Sequence, residues 1–402
     1  MKNTILITID ALRADMVDLY KDRGLTPFID SLSQKMTIYK DAHSTGPYTQ
    51  ASFQGILASQ YYLEYGKEKK LNKDKILISE ILKKAGIYTA AFHSNAYLSY
   101  YFGYNRGWDV FYDSMADEVT DMYPFVRGDG INAKVEEFLK NFSFSSPLFL
   151  WVHYMDVHEP YIAEKDYLKK IAPDLSVIKD EMFTLFKDTL LKRDVSDSDK
   201  VDTLKKLYMA KVAETDGYIK DLFDILSSHN LTESSDIIIT SDHGDEFLEH
   251  GGLSHDGKMY SELINVPLLI YSKDIEKKEI DTPVSLIDIP PTIAAFMETE
   301  PAPSFKGDSL WPIDLISPRT LYGEAMGKLG HKEKDSDRPI YYMIDEGIKV
   351  IYREDGSTWE AYKRDDDPAD RNNIPSGISG GKKDKLNKFI NRNQIKRRRY
   401  GR

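Results

Sequence analysis

The chain has 402 residues, of which 41% are hydrophobic and 12% aromatic, enough to bury a large core and to exclude an intrinsically disordered chain. It carries 54 Lys/Arg against 65 Asp/Glu, a net charge of −11, and it has no cysteine, which excludes disulfides. No stretch approaches the roughly 20 apolar residues that span a bilayer, and the N-terminal apolar run is too short for a signal peptide, so a cytoplasmic location is the expectation.

In chain order, residues 4–9 (TILITI) form a β-branched run of buried-strand type ending at Asp10, with Arg13 and Asp15 just beyond. The segment STGPYTQASFQGILAS, 44–59, places Thr49 after a Gly-Pro turn at the start of an apolar helical stretch. Backbone N–H groups and the helix dipole favour an anion there, and a hydroxyl activated by a metal at that point is a nucleophile. GIYTAAFHSNAYLS, 86–99, reads as a strand leading to His93 and Asn95. The aromatics that follow, Tyr97, Tyr100, Tyr101, Phe102, Tyr104 and Trp108, read as packing or as the lining of a cleft. Another buried strand, 148–154, leads to His153, Asp156 and His158.

The charged segment 162–203 has helical character and reads either as a lid insertion over the site or as a packed helical pair, ahead of a helix over 204–227. The strand IIIT, 237–240, then runs into Asp242 and His243, a polar loop carries His250 and His255, and VPLLIY, 266–271, follows. A carboxylate beside an imidazole at a buried strand's C-terminal end suits Zn, Mn or Fe, and ligands of open α/β sheets bind at that end. His93 and His250 read as structural. Residues 339–363 hold short strands split by turn residues, which predicts a small antiparallel sheet. Residues 381–402 carry ten Lys/Arg and one Asp, a net of +9, leaving −20 on the rest.

The alternation of strand and helix runs predicts an α/β fold with a mainly parallel central sheet flanked by helices. The expected division is a catalytic part over 1–300, with 162–203 as its candidate lid, an antiparallel subdomain over 301–375, and a flexible basic tail over 376–402. Within the tail, Leu386, Phe389, Ile390 and Ile395 have the spacing of a short amphipathic helix. That helix would dock on an anionic membrane surface, which would make the protein peripheral to the membrane, or on an acidic partner face such as another copy of the chain. Nucleic acid is the weaker expectation.

Taken as an ordered set, ITIDALRAD at the start, TPFIDSL at 26–32, the Thr49 segment, 86–99, FGYNRGWDVF at 102–111, PLFLWVHYMDVHEPY at 147–161, TSDHGDEFLEHGG at 240–252, SLIDIPPTI at 285–293 and EAYKRDDDPADRNNI at 360–374 resemble the sulfatase-like family of the alkaline phosphatase superfamily. The resemblance covers roughly residues 3–375. It implies that Asp10, Asp242 and His243 are metal ligands and that Thr49 is a nucleophile that also touches the metal. It implies that His158 contacts the transferred group or protonates the leaving oxygen, and that His255 contacts the substrate or shares that acid role. Asn95, His153 and Arg13 are the implied substrate-binding residues.

Four positions depart from the sulfatase pattern. Thr49 stands where those enzymes have the Cys or Ser that becomes formylglycine, Phe53 replaces a sulfate-binding arginine, Ala11 replaces a second aspartate, and His243 replaces an asparagine. The departures point to the family's threonine-using branches: phosphodiesterases, phosphonate monoester hydrolases and phosphoglycerol transferases. One divalent ion is expected, Mn²⁺ or Zn²⁺ in preference to Ca²⁺. A second metal would draw on His153, His158 and His255 with Asp156 or Asp216. The implied activity is hydrolysis of a small-molecule, glycan-linked or lipid-linked phosphate ester through a phospho-threonine. The alternatives are sulfate-ester hydrolysis without formylglycine, phosphoglycerol or phospho-sugar transfer, and a non-catalytic binding module.

Overall fold

The structure is a computed structural model that describes residues 2–66, 70–327 and 338–400, with side chains described as far as Asn393. Eight strands form the central sheet: β1 (Asn3–Ile9), β2 (Met36–Tyr39), β3 (Tyr88–His93), β4 (Val110–Asp113), β5 (Leu148–Tyr154), β6 (Ser235–Ser241), β7 (Leu268–Tyr271) and β8 (Lys278–Ile280). Their spatial order is β8-β2-β7-β6-β1-β5-β3-β4. All neighbouring pairs are parallel except the two that β7 makes, with β6 and with β2. The expected mainly parallel α/β architecture is therefore the observed one.

Both faces of the sheet are covered, which is why its strands read as continuous apolar runs. In β1, Ile5, Ile7 and Ile9 enter one core while Leu6 enters the other, and in β5 Leu150 and Val152 oppose Phe149 and Trp151. The first face packs on Gly128–Asn141 and on the 31-residue helix Ser198–Ser228. The second packs on α1 (Thr49–Ala58), on Ile78–Lys84 and on Ile289–Phe296. The segment 162–203 supplies two short helices, Lys165–Ile171 and Lys179–Leu185, whose Leu168 and Met182 are buried against the long helix.

The small antiparallel sheet expected near the C-terminus is present as β9 (Leu321–Met326), β10 (Pro339–Asp345), β11 (Ile348–Arg353) and β12 (Thr358–Lys363). The basic tail is not the free segment its composition suggests. Residues Gly380–Tyr400 form a helix, α2, that buries Leu386 and Ile390 in the core beneath this sheet. Phe389 stacks on Tyr322 with ring centroids 4.4 Å apart. Lys385 and Lys382 pair with Asp345 at 2.7 and 3.1 Å, so part of the tail's charge is already matched inside the molecule. Leu386, Phe389 and Ile390 thus face the protein's own C-terminal sheet. The side chain of Ile395 and residues 401–402 lie outside the described residues.

Candidate active site

Asp10, Asn95, His158 and Asp242 all lie just past the C-terminal ends of parallel strands, and α1 points its N-terminus at them. Thr49 is the first residue of α1, after an extended Tyr48. Its Oγ1 is 3.4 Å from Asp10 Oδ2, from His243 Nε2 and from Asn95 Nδ2. Asn95 Nδ2 also donates to Asp10 Oδ2 at 2.7 Å. His243 Nε2 is 3.5 Å from Asp10 Oδ1 and 3.4 Å from Asp242 Oδ2. Thr49, Asp10, Asp242, His243 and Asn95 are all buried.

Backbone geometry aims these donors. Ala11 adopts a left-handed φ of 59°, which turns its N–H onto Asp242 Oδ1 at 3.2 Å; strain of this kind at a non-glycine residue is concentrated at functional sites. His243 N–H also donates to Asp242 Oδ1, at 2.9 Å. His243 Nδ1 donates to the Gly244 carbonyl at 3.0 Å, which leaves Nε2 with its lone pair facing the carboxylates. Gly244 permits this turn because a Cβ there would sit 2.2 Å from the Glu262 carbonyl oxygen.

The residues present fit a divalent cation. Ligand atoms of Asp10, Asp242 and His243 lie within 4.8 Å of one another. Asp10 Oδ1 and Asp242 Oδ2 are buried with no hydrogen-bond partner, an expensive arrangement unless a cation completes it. Burial and the Asp10 charge push the Asp242 carboxyl far up. Burial works the same way on Asp10, but the surrounding His153, His158 and His243 imidazoles outweigh it and hold that carboxyl well below the usual range.

Two further imidazoles border the cluster. The ring of His255 is 4.4 Å from that of His243 and 4.9 Å from that of His158. Burial opposes charge on His158, but the nearby Asp10, Glu159 and Asp245 carboxylates prevail and push it up to about 9. His255 goes the other way, driven well below the ordinary range by burial and by the neighbouring His243 and His158. Two adjacent imidazoles are thus shifted in opposite directions by the charges around them.

Sequence reasoning missed the residue that orients His255. Buried Asp245 accepts from His255 Nδ1 at 2.9 Å and from the Tyr161 hydroxyl at 2.6 Å. Its signal was a carboxylate three residues after Asp242 in the same segment. Arg193 makes a bidentate pair with Asp256, both bonds 2.8 Å, and so ties the 162–203 segment to the His255 loop. Two expected substrate contacts sit elsewhere. His153 lies behind Asp10, with Nε2 3.5 Å from Oδ2 and Nδ1 held at 2.9 Å by Thr8 Oγ1, itself anchored by Trp151 Nε1. Arg13 turns away to Asp15 and Glu249, both at 2.8 Å, and to the Asp245 carbonyl at 3.0 Å. His93 is fully buried against Trp151 and pushed down to about 3 by burial, in keeping with a structural role.

A sulfatase family model matches residues 2–299. The chain belongs to the sulfatase family. The matched region contains every residue of the cluster, and membership of the family supports a hydrolase of ester substrates. The chain is 23% identical to the uncharacterized sulfatase YidJ of Escherichia coli (strain K12), over 94% of this chain and 83% of that protein. Its fold is similar to that of the phosphonate monoester hydrolase of Agrobacterium radiobacter, with a TM-score of 0.78 at 15% identity, covering 98% of this chain and 96% of that one. It is also similar to a structure solved in complex with its substrate D-glucosamine-2-N,6-O-disulfate, with a TM-score of 0.75 at 18% identity over 99% and 98% of the two chains. Sulfatase-family enzymes use a divalent metal, and the Asp10, Asp242 and His243 cluster is a candidate set of ligands for it. Among the described residues no helix is long and apolar enough to cross a membrane.

Proposed function

We propose that the chain is a metal-dependent hydrolase of phosphoric esters, phosphodiester, phosphonate or phosphomonoester, with Thr49 as nucleophile. The observation that carries this reading is Thr49 Oγ1 at 3.4 Å from both Asp10 and His243, at a position where a threonine cannot be converted to formylglycine. The buried Phe53 one turn further along α1 offers no charge to a sulfate. An imidazole among the ligands favours Mn²⁺ or Zn²⁺ over Ca²⁺.

A divalent cation held by Asp10, Asp242, His243 and Thr49 would, when bound, acidify the threonine hydroxyl and offset negative charge on the transferred group. Asn95 ties Thr49 Oγ1 to Asp10 Oδ2 and so fixes the line of attack. Thr49 Oγ1 releases its proton to solvent and attacks phosphorus while the bond from phosphorus to the ester oxygen breaks on the opposite side, forming phospho-threonine. His158 gives the leaving oxygen its proton. His255, oriented by Asp245, takes a proton from the water that cleaves the phospho-threonine.

The test is a matched set of rates on p-nitrophenyl phosphate, its bis-ester, a phenylphosphonate ester and p-nitrophenyl sulfate. Metal-stripped protein receives Mn²⁺, Zn²⁺ or Ca²⁺, with Thr49→Ala as control. Phosphorus-ester turnover that needs Mn²⁺ or Zn²⁺ and vanishes in the control is the expected result. Family membership favours a second reading, sulfate-ester hydrolysis by the same threonine, and dominant sulfate turnover would put it first. Silence on all four esters with metal bound would indicate a transferase.

A further inference from the structure

The segment between Tyr161 and the long helix Ser198–Ser228 forms a pocket of about 470 Å³. Small-molecule sites fall within about 300–1,000 Å³. Ala163, Leu168 and Met182 line it from the buried side, and Leu175, Val177 and Ile178 complete its apolar lining. None of its lining residues belongs to the cluster around Thr49.

The local sequence creates this space. Pro173 forces Ala172 out of helical conformation, to φ −137° and ψ 70°, and so ends the helix Lys165–Ile171. The next helix, Lys179–Leu185, begins only after Ile178, whose N–H donates to the Glu181 carboxylate at 2.9 Å. The stretch between the two helices closes a gap that neither of them fills. Its frame is fixed: Leu175 N–H donates to the Ala172 carbonyl at 2.9 Å. Lys179 pairs with Glu164 at 2.7 Å, and Glu164 is held in turn by Arg127 at 2.9 Å. A pocket ordered before binding loses little entropy when a ligand arrives.

The lining selects its ligand by chemistry. It has no aromatic ring, so a nucleobase or an aryl group finds no stacking partner there. Its apolar side chains are all aliphatic, and Ile178 is left 64% exposed, which gives a hydrocarbon chain apolar surface still to cover. It also has no carboxylate, while three ammonium groups, of Lys165, Lys169 and Lys179, border it. Glu164 matches Lys179, but Lys165 and Lys169 meet no carboxylate among the described residues. These two lysines lie one turn apart on the same face of their helix. Lysine stems extend an apolar wall while their charges stay in water, a pairing that suits a chain ending in an anionic head and repels a cationic one.

We propose that this pocket binds an aliphatic carboxylate, with its chain against Leu168, Ile178 and Met182 and its head group at Lys165 and Lys169. Such binding needs neither Thr49 nor a metal, so it holds whichever ester the Thr49 cluster hydrolyses.

The test is calorimetric titration of hexanoate, octanoate and decanoate against the full-length protein, together with methyl NMR of its twelve methionines. The Met182 signal is assigned by its loss in Met182→Leu. Decanoate should shift the Met182 methyl and leave that of Met343, in the C-terminal sheet, unmoved. Affinity should rise about fourfold for each added methylene. Decyltrimethylammonium, the same chain with the opposite head, should bind at least about tenfold more weakly than decanoate, and Lys165→Glu with Lys169→Glu should weaken decanoate by about tenfold. Ile178→Glu, at an exposed position that the fold does not depend on, should also weaken decanoate by about tenfold. An unmoved Met182 methyl, an affinity independent of chain length, or equal binding of the two head groups would overturn the site. Retention on phosphatidylglycerol vesicles without decanoate binding would overturn it too, since the face would then serve a membrane.

Discussion

Two clusters, seven residues apart in the chain at His243 and His250, have the same composition: two carboxylates and one imidazole within metal-ligating distance. Their surroundings differ. In the first, Asp10 Oδ1 and Asp242 Oδ2 are buried without partners and three donor sets converge on one point. In the second, every donor is engaged. Glu246 pairs with Lys258 at 2.7 Å, and His250 bonds Glu262 at 2.6 Å through one nitrogen and the Asp370 carbonyl at 2.8 Å through the other. The His250 ring also stacks on Tyr260 with centroids 3.7 Å apart. Residue type alone therefore does not make a site; unsatisfied, converging lone pairs do. The His250 cluster is a strap between the loop after Asp242 and the segment leading out of the C-terminal sheet.

The comparison is broken most directly at the first cluster. Thr49→Ala and Asp242→Asn should each lower kcat/KM by on the order of 10⁴ or more. By elemental analysis Asp242→Asn should lose bound metal, while His250→Gln keeps it; equal loss in both variants would erase the distinction. His158→Ala should cost about 10²–10³ in kcat for an alkyl ester and much less for a nitrophenyl ester, whose leaving group needs no proton. A penalty independent of the leaving group would remove His158 from the acid role. Asp245→Asn should cost about 10- to 100-fold in activity or metal affinity, measured as the Zn²⁺ concentration for half-activation.

Smaller effects sharpen the structural side. Leu386→Ala should lower stability by about 2–5 kcal/mol in urea unfolding, because the tail helix buries that side chain fully. A free tail would show no change. At His250, burial opposes charge, but Glu262 and the Asp370 carbonyl both accept from the ring and raise its pKa above the ordinary value. A raised folded value means that the stability it lends is complete below the unfolded pKa of about 6.5 and is lost as pH rises through the folded value. The stability gap between wild type and His250→Gln should therefore be widest near pH 6 and shrink towards pH 9. A gap that grows with pH would exclude the charged strap.

The sequence by itself determined the sheet and marked residues that the structure gathers into one buried cluster. Continuous β-branched runs such as TILITI have one stable home, a strand covered on both faces. Asp10, Thr49, Asp242 and His243 were legible because each sits at a strand end or helix start that local pattern marks. The tertiary structure decided what depends on distant partners. It turned Arg13 towards Glu249, set His153 behind Asp10, brought Asp245 under His255 and seated the basic tail on β10 and its neighbours. Those outcomes depend on which groups meet across tens to hundreds of residues, and a hydrogen bond or buried face has no signature in one partner alone.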